Sequence, residues 1–153
     1  MTEIVRRVRP AMRWWSMAER VGKQFNVAPH VIVAVIAKES AGDDTALGDN
    51  GTAIGLMQVR PIAFKDVQLA FPGTFAGVSH SSLKGNAELQ IKAGAAFLRL
   101  MMDRTGDFLD ALDAYNQGER AAEASPGVSS YALDVTSYSA VSWLWKSFSA
   151  GTA

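Results

Sequence analysis

The sequence predicts a mainly α-helical domain that is interrupted once by a short, glycine-rich β-hairpin or loop. Apolar residues recur at three- and four-residue steps along most of the chain, which is the spacing of one face of an α-helix. Segment 42–55 breaks this pattern, because it holds four glycines together with aspartates and an asparagine, which are typical of turns. The length of 153 residues and the hydrophobic fraction of 48% suit a single domain, 1–153, with one core.

Two helices are expected before the glycine-rich segment. The first covers about 10–25, and its adjacent Trp14 and Trp15 are interpreted as core residues. The second covers 29–40, where Pro29 suits the first turn of a helix. Because this second helix is apolar nearly all round, we expect it to be buried.

The rest of the chain alternates between helical patterns and linking segments. A hairpin turn is predicted at 49–51. Asp107 is expected to cap the helix that carries Tyr115, and the segments 72–85 and 119–128 to be a loop and a connector. The other helices are predicted at 61–71, 86–104 and 130–148. Any chemistry should then lie beside the glycine-rich segment.

Several classes of protein are excluded by what the sequence lacks. Cysteine is absent, so the chain has no disulfide, thiol nucleophile or cysteine zinc cluster. The longest unbroken apolar run, 31–37, is far shorter than the roughly 20 residues that cross a bilayer. His30 and His80 are the only histidines and lie far apart, and no glycine pattern for phosphate binding occurs. We therefore expect no metal and no cofactor.

Charge is distributed unevenly although the net charge is zero. Residues 1–25 hold six basic and two acidic side chains, and the remainder has the opposite excess. This favours a basic amphipathic N-terminal helix packed on the domain, whose outer face is either simply solvated or in weak contact with anionic membrane or lipopolysaccharide. Nucleic-acid binding is not favoured.

Glu39 is the first candidate for chemistry. It ends the apolar helix 29–40 and shares a face with Ile32, Val35 and Ile36, so its carboxyl is expected to be partly buried. Burial raises the pKa of a carboxyl and so favours general-acid catalysis. Beside Lys38 at a helix end, a solvated glutamate with no catalytic role is the alternative.

Three motifs in order give Glu39 a context: Glu39-Ser40, then Gly-Leu-Met-Gln at 55–58, then Ala-Tyr-Asn-Gln-Gly at 114–118. Over about 31–141 the chain resembles the lysozyme-like superfamily of peptidoglycan-cleaving enzymes, which includes the soluble lytic transglycosylases and the goose-type lysozymes. The resemblance implies a lysozyme-like helical fold in which the hairpin or loop lies beside the active-site cleft.

The resemblance also implies roles for individual residues. Glu39 would protonate the glycosidic oxygen between N-acetylmuramic acid and N-acetylglucosamine, and Ser40, its motif partner, would contact the substrate. Met57 and Gln58 would line the cleft, the thioether covering an apolar sugar face and the amide bonding to sugar groups. Tyr115 and Asn116 would orient the carboxyl and the N-acetyl group of the substrate. Core packing is the alternative for Met57 and Tyr115.

The two branches of the superfamily differ in their second chemical step. In lytic transglycosylases the glutamate turns base and the C6 hydroxyl closes on C1, giving a 1,6-anhydro product. In goose-type lysozymes an aspartate holds water instead, and Asp49 matches that aspartate. Arg60 departs from the goose-type pattern, and the interval between Glu39 and Asp49 is shorter than in goose-type enzymes. The transglycosylase is therefore favoured, and the hydrolase is the alternative. A third interpretation is that Asp49 only forms the turn.

A different class of function stays open, namely a non-catalytic cell-wall-binding or virion structural protein that keeps the cleft. The charged residues in 1–25 do not form a secretion signal, so we expect the protein to be made in the bacterial cytoplasm. We expect it to be a monomer of bacterial or bacteriophage origin. Such a protein, for example an endolysin or virion muramidase, would act on the cell wall or periplasmic murein.

Overall fold

A computed structural model describes residues 1–150, so the last three residues of the predicted domain 1–153 lie outside the described residues. Within this range the buried apolar side chains form one continuous cluster, to which all the longer helices contribute. The prediction of a mainly α fold with one small hairpin is confirmed. The helices are α1 (Glu3–Ala11), α2 (Trp15–Phe25), α3 (Pro29–Ser40), α4 (Pro61–Ala70), α5 (Pro72–Phe75), α6 (Ala87–Thr105), α7 (Phe108–Gln117), α8 (Glu119–Ala124) and α9 (Ser130–Ala150), and the strands are β1 (Leu47–Gly48) and β2 (Ala53–Ile54).

The N-terminal helix differs from the prediction, since 10–25 is not one helix. The helical chain begins earlier, where the Thr2 hydroxyl accepts a 3.3 Å hydrogen bond from the Val5 amide and caps α1. Pro10, expected at a helix start, lies in the last turn of α1, where it cannot donate a backbone hydrogen bond. The chain then tightens into a 3₁₀ turn, Met12–Trp14, before α2 begins.

Helix α3 is the centre of the domain and positions its own C-terminal residues. Every side chain from 31 to 37 is buried, and α3 packs against α1, α2 and α9. The guanidinium of Arg7 donates 2.8 and 2.6 Å hydrogen bonds to the carbonyls of Ala37 and Lys38 in the last turn of the helix, where carbonyls have few internal donors. Ala41 adopts a left-handed conformation and ends the helix. Glu39 is therefore held at the end of a rigid, buried helix.

The glycine-rich segment forms the hairpin that was predicted. Strands β1 and β2 are antiparallel, with Leu47 opposite Ile54 and Gly48 opposite Ala53. Asp49 and Asn50 have left-handed backbone angles, φ 47° and 58°, which asparagine and aspartate adopt more readily than most residues. The tight turn directs residue 49 toward the cleft.

Two segments predicted without helix contain short helical pieces. The segment 72–85 holds α5 and a 3₁₀ turn, His80–Leu83. Each piece packs one apolar side chain in the core, Phe75 and Leu83 respectively. The connector 119–128 holds α8. Both are single turns or little more, which are too short to give a helical pattern in the sequence.

Across residues 1–150, no helix has the length and apolar character needed to span a bilayer.

Candidate active site

Glu39 faces a polar cavity of about 180 Å³ at the junction of α3, the hairpin and the C-terminus of α7. The cavity, which we call the cleft, is lined by Glu39, Asp49, Ala53, Gln58, Arg60, Tyr115 and Asn116. The structure therefore brings together Glu39, Asp49, Gln58, Tyr115 and Asn116, five of the seven residues that the sequence singled out. Arg60, singled out only as a departure from a pattern, lies among them.

The surroundings of the Glu39 carboxyl shift its pKa. Burial raises its pKa above the ordinary value for glutamate, and this is the largest effect. Tyr131, Arg60 and Lys38 lower the pKa, while the negative charge of Asp49 raises it. The net result is a raised pKa, which keeps a larger fraction of the carboxyl protonated.

Arg60 is fixed across the cleft. One guanidinium nitrogen donates a 2.6 Å hydrogen bond to the Asn116 carbonyl and lies 3.5 Å from the Tyr115 carbonyl. Another nitrogen lies 3.8 Å from the carboxylate of Asp49 on the hairpin. Arg60 therefore links the hairpin to the end of α7 and places a positive charge beside Glu39.

Gln58 lines the cleft but is largely occupied by the hairpin. Its backbone is left-handed, φ 50°, and its side-chain nitrogen donates to the carbonyls of Ala46 and Gly55 at 3.1 and 2.9 Å. These hydrogen bonds hold the turn in shape. The side-chain oxygen is the group that is left to accept from a ligand.

The expectation that the Met57 side chain covers a sugar face is wrong. Met57 is fully buried, and its side chain packs against Gly94 of α6, where any larger residue would clash with it. Its backbone carbonyl instead accepts a 2.7 Å hydrogen bond from the Tyr115 hydroxyl. Tyr115 thus lines the cleft, while its hydroxyl binds the turn rather than the Glu39 carboxyl.

Ser40 also has a structural position instead of the expected contact with substrate. Its hydroxyl lies 2.8 Å from the Leu56 carbonyl and 3.2 Å from the Ile36 carbonyl, and it accepts from the Gly42 amide. Ser40 is not among the residues that line the cleft. The serine of the Glu-Ser pair therefore ties α3 to the Gly-Leu-Met-Gln turn.

Sequence reasoning missed Tyr131, which comes from the first turn of α9. Its side chain is buried, and its hydroxyl makes no hydrogen bond of normal length and angle within residues 1–150. The hydroxyl is nevertheless close enough to Glu39 to stabilise the carboxylate and lower its pKa. The predicted helix 130–148 includes Tyr131, but nothing in its pattern shows which helix this side chain faces.

Gln90 stabilises the Gly-Leu-Met-Gln turn through buried hydrogen bonds, and sequence reasoning also missed this residue. It is fully buried on α6, where its oxygen accepts from the Leu56 amide at 2.9 Å and its nitrogen donates to the carbonyls of Asp44 and Leu83. Gly55 approaches this amide so closely that a side chain at that position would collide with it. A polar residue on an otherwise apolar helix face was the only available signal.

No group of three or more histidine, cysteine, aspartate or glutamate side chains in the described part of the chain is arranged to hold a metal ion. The cleft holds two carboxylates, Glu39 and Asp49, and the cation of Arg60 stands with them.

Comparison with known proteins gives the family. The model of the transglycosylase SLT domain matches residues 16–127, which include all three motifs. The chain belongs to the transglycosylase SLT domain family. This match confirms the resemblance on which the roles of the motifs were based.

Relatives of this SLT domain occur in bacteria and in a bacteriophage. The endo-type membrane-bound lytic murein transglycosylase A of Citrobacter koseri is 31% identical over 142 residues, covering 93% of this chain and 62% of that protein. The transglycosylase of Enterobacteria phage PRD1 is 31% identical over 121 residues, covering 79% of this chain and 41% of that protein. The chain thus spans less than two thirds of the length of these relatives.

A solved structure shares the fold of this SLT domain. An inactive mutant of the lytic transglycosylase Slt from Pseudomonas aeruginosa superposes with a TM-score of 0.69 over 83% of this chain and 23% of that one. The sequence identity is 23%. The lysozyme-like helical fold expected from the motifs is confirmed by this likeness.

Proposed function

We propose that this SLT domain cleaves the β-1,4 bond between N-acetylmuramic acid and N-acetylglucosamine in peptidoglycan, as a lytic transglycosylase. The observation that carries the proposal is a glutamate with a raised pKa, Glu39, at the end of a buried helix and facing a polar cleft. The relatives named lytic murein transglycosylase support the same reaction. The site of action would be the murein of the cell wall or periplasm.

The shape of the surface beside Glu39 suits a polymer. A second cavity of about 210 Å³ adjoins the cleft and shares Gln58, Arg60 and Tyr115 with it. Its other lining residues include exposed Ile62 and buried Phe97, so it offers apolar surface next to polar groups. Sugars present polar edges and apolar faces, and this pair of cavities would accommodate successive sugars of one glycan strand.

In the proposed reaction Glu39 acts twice. Its carboxyl proton passes to the glycosidic oxygen as the bond from that oxygen to C1 of the muramic sugar breaks. The resulting carboxylate then takes the proton of the C6 hydroxyl, whose oxygen forms a new bond to C1. No water is consumed, and Glu39 ends protonated as it began. Asn116 and the Gln58 oxygen would position the sugar for these steps.

Hydrolysis of the same bond is the second candidate, because Asp49 lines the cleft together with Glu39. An inverting hydrolase needs a second carboxylate that activates water on the opposite sugar face. Here the Asp49 carboxylate lies 3.8 Å from the Arg60 guanidinium, a neighbour that competes with water for it. This contact favours the transglycosylase.

Mass spectrometry of the products from purified peptidoglycan tests the proposal. A transglycosylase releases anhydromuramic ends that are lighter by one water than hydrolytic ends. Glu39→Gln should lower the rate by about 10²- to 10⁴-fold, and Glu88→Gln, a matched change on the exposed face of α6, should leave it unchanged. Reducing muramic ends would establish the hydrolase, and binding without products from either protein would establish a non-catalytic wall-binding role.

A further inference from the structure

Helix α9 has an outward face that is apolar and carries no charge. Four large apolar side chains are exposed on it: Leu133 by 57%, Trp143 by 54%, Leu144 by 45% and Phe148 by 74%. At helical spacing they share this face with small or hydroxylated residues, namely Thr136, Ser137, Ala140 and Ser147. An exposed helix face of a domain normally carries charged residues, so this apolar patch indicates a binding surface.

The two charged residues of α9 are turned away from this face. Asp134 accepts a 2.7 Å hydrogen bond from the Lys38 ammonium. The ammonium of Lys146 lies 5.9 Å from the centroid of the Trp15 ring. The inner face of the helix, with Tyr131 and Val135, is part of the core. Helix α9 is thus apolar on two sides, and only one of them is covered within residues 1–150.

Helix α1 packs against α9 and carries exposed positive charge. Arg6 and Arg9 are exposed on α1, and neither forms an ion pair with any residue in 1–150. The only acidic residue of the helix, Glu3, lies 3.7 Å from Arg7. A partner that covers the apolar face of α9 and also matches this charge must combine apolar and anionic groups.

We propose that the outward face of α9, together with the exposed arginines of α1, binds the surface of an anionic phospholipid bilayer. Trp143, Leu144 and Phe148 are the residue types that enter the boundary between headgroups and acyl chains. Arg6 and Arg9 bind the lipid phosphates. An apolar contact and a basic contact together give stable but reversible binding, which neither gives alone.

Vesicle sedimentation in the absence of peptidoglycan tests this proposal independently of the proposed function. The chain should sediment with vesicles of equal parts phosphatidylcholine and phosphatidylglycerol, and far less with phosphatidylcholine alone. Trp143→Ser/Leu144→Ser/Phe148→Ser should weaken binding by at least about tenfold. Arg6→Gln/Arg9→Gln should weaken it by about fivefold for each arginine and reduce its dependence on salt.

Matched control variants change exposed residues that lie outside α1 and α9. Leu69→Ser removes a leucine on α4 that is more exposed than Leu144, and Lys65→Gln/Lys84→Gln removes two exposed cations outside α1 and α9. Both should bind vesicles as the parent does. All variants should keep the parent rate on purified peptidoglycan, which shows that they are folded.

A position-specific readout uses phospholipids brominated on the acyl chain, which quench tryptophan at the bilayer boundary. Quenching should fall sharply in Trp143→Phe. Parent-like binding by the triple variant, or quenching that does not depend on Trp143, would overturn the proposal. So would sedimentation equilibrium that finds a dimer in the parent and a monomer in the triple variant, because the face would then bind a second copy.

Discussion

The hydroxyl of Tyr115 donates a 2.7 Å hydrogen bond to the backbone carbonyl of Met57 and joins two motifs that lie 58 residues apart in the sequence. Arg60 makes a second connection in the opposite direction, to the carbonyl of Asn116. The Gly-Leu-Met-Gln turn and the end of α7 are thereby fixed to each other. The two walls of the cleft form one rigid unit around Glu39.

Tyr115→Phe should weaken this unit. The change leaves the buried Met57 carbonyl without its donor, and we expect a loss of about 1 to 3 kcal/mol in the free energy of unfolding. Because the turn also carries Gln58 and Arg60, the catalytic rate should fall along with stability. Denaturant unfolding and product release from peptidoglycan measure both. Tyr138→Phe, an equally buried change on α9, is the control that should keep the rate, and an unchanged rate in Tyr115→Phe would contradict the coupling.

The pH profile should respond in opposite directions to the two charges beside Glu39. A general acid works only when protonated, so kcat/KM should fall as the pH rises through the raised pKa of Glu39. Arg60 lowers that pKa, so Arg60→Met should move the falling limb to higher pH. Asp49 raises it, so Asp49→Asn should move the limb to lower pH. Shifts in the same direction would mean that the limb reports another group.

Tyr131→Phe extends the pH argument to the residue that the sequence did not reveal. Its hydroxyl stabilises the Glu39 carboxylate, so its removal should raise the pKa of Glu39 and move the same limb to higher pH. A rate that falls uniformly at every pH, without movement of the limb, would assign Tyr131 to packing alone. Tyr138→Phe again serves as the control.

The sequence was sufficient for the parts of the site that rest on helical periodicity and local turns. The apolar run of α3 places Glu39 at a buried helix end, and the residues at 49–51 are those that a left-handed turn requires. Such features depend on neighbouring residues alone. The same is true of Asp107, whose carboxylate accepts from the Asp110 amide and caps α7 as expected.

Sequence reasoning was insufficient where a side chain can either pack or face a cleft. Met57 and Gln58 are adjacent, yet one is buried against Gly94 and the other lines the cleft, because the left-handed backbone at Gln58 turns the chain between them. Ser40 likewise follows Glu39 directly but bonds to the Leu56 carbonyl. These choices are made by contacts between elements far apart in the sequence, which periodicity does not encode.

Gln90→Leu should destabilise the site from outside the cleft. The fully buried amide bonds to backbone groups of Leu56, Asp44 and Leu83, and an apolar residue would leave the Leu56 amide and the Asp44 carbonyl without partners. We expect the free energy of unfolding to fall by about 3 kcal/mol or more, with faster hydrogen exchange at the Leu56 amide and a lower rate. Gln68→Leu is the matched control, since Gln68 donates to the carbonyls of Phe75 and Val78 away from the cleft. It should lose stability while the remaining folded protein keeps its activity, and equal activity losses in both variants would contradict a specific role for Gln90.

Glu39→Gln should make the protein more stable at neutral pH even though it removes activity. The folded-state pKa of Glu39 is raised by burial, so the folded protein holds this proton more tightly than the unfolded chain does. Its contribution to stability is fully present below the unfolded-state pKa and is lost as the pH rises through the folded-state pKa. Glutamine does not titrate and avoids this loss.

The difference in melting temperature between Glu39→Gln and the parent is therefore the quantity to measure as a function of pH. It should be largest above the folded-state pKa of Glu39 and should shrink as the pH falls below the ordinary value for glutamate. Glu88→Gln changes an exposed carboxylate in the same way and should show no such trend. A gain in stability that is the same at every pH would instead arise from packing of the amide. The raised pKa is the property that suits Glu39 to act as an acid, so this measurement examines the catalytic proposal without any substrate.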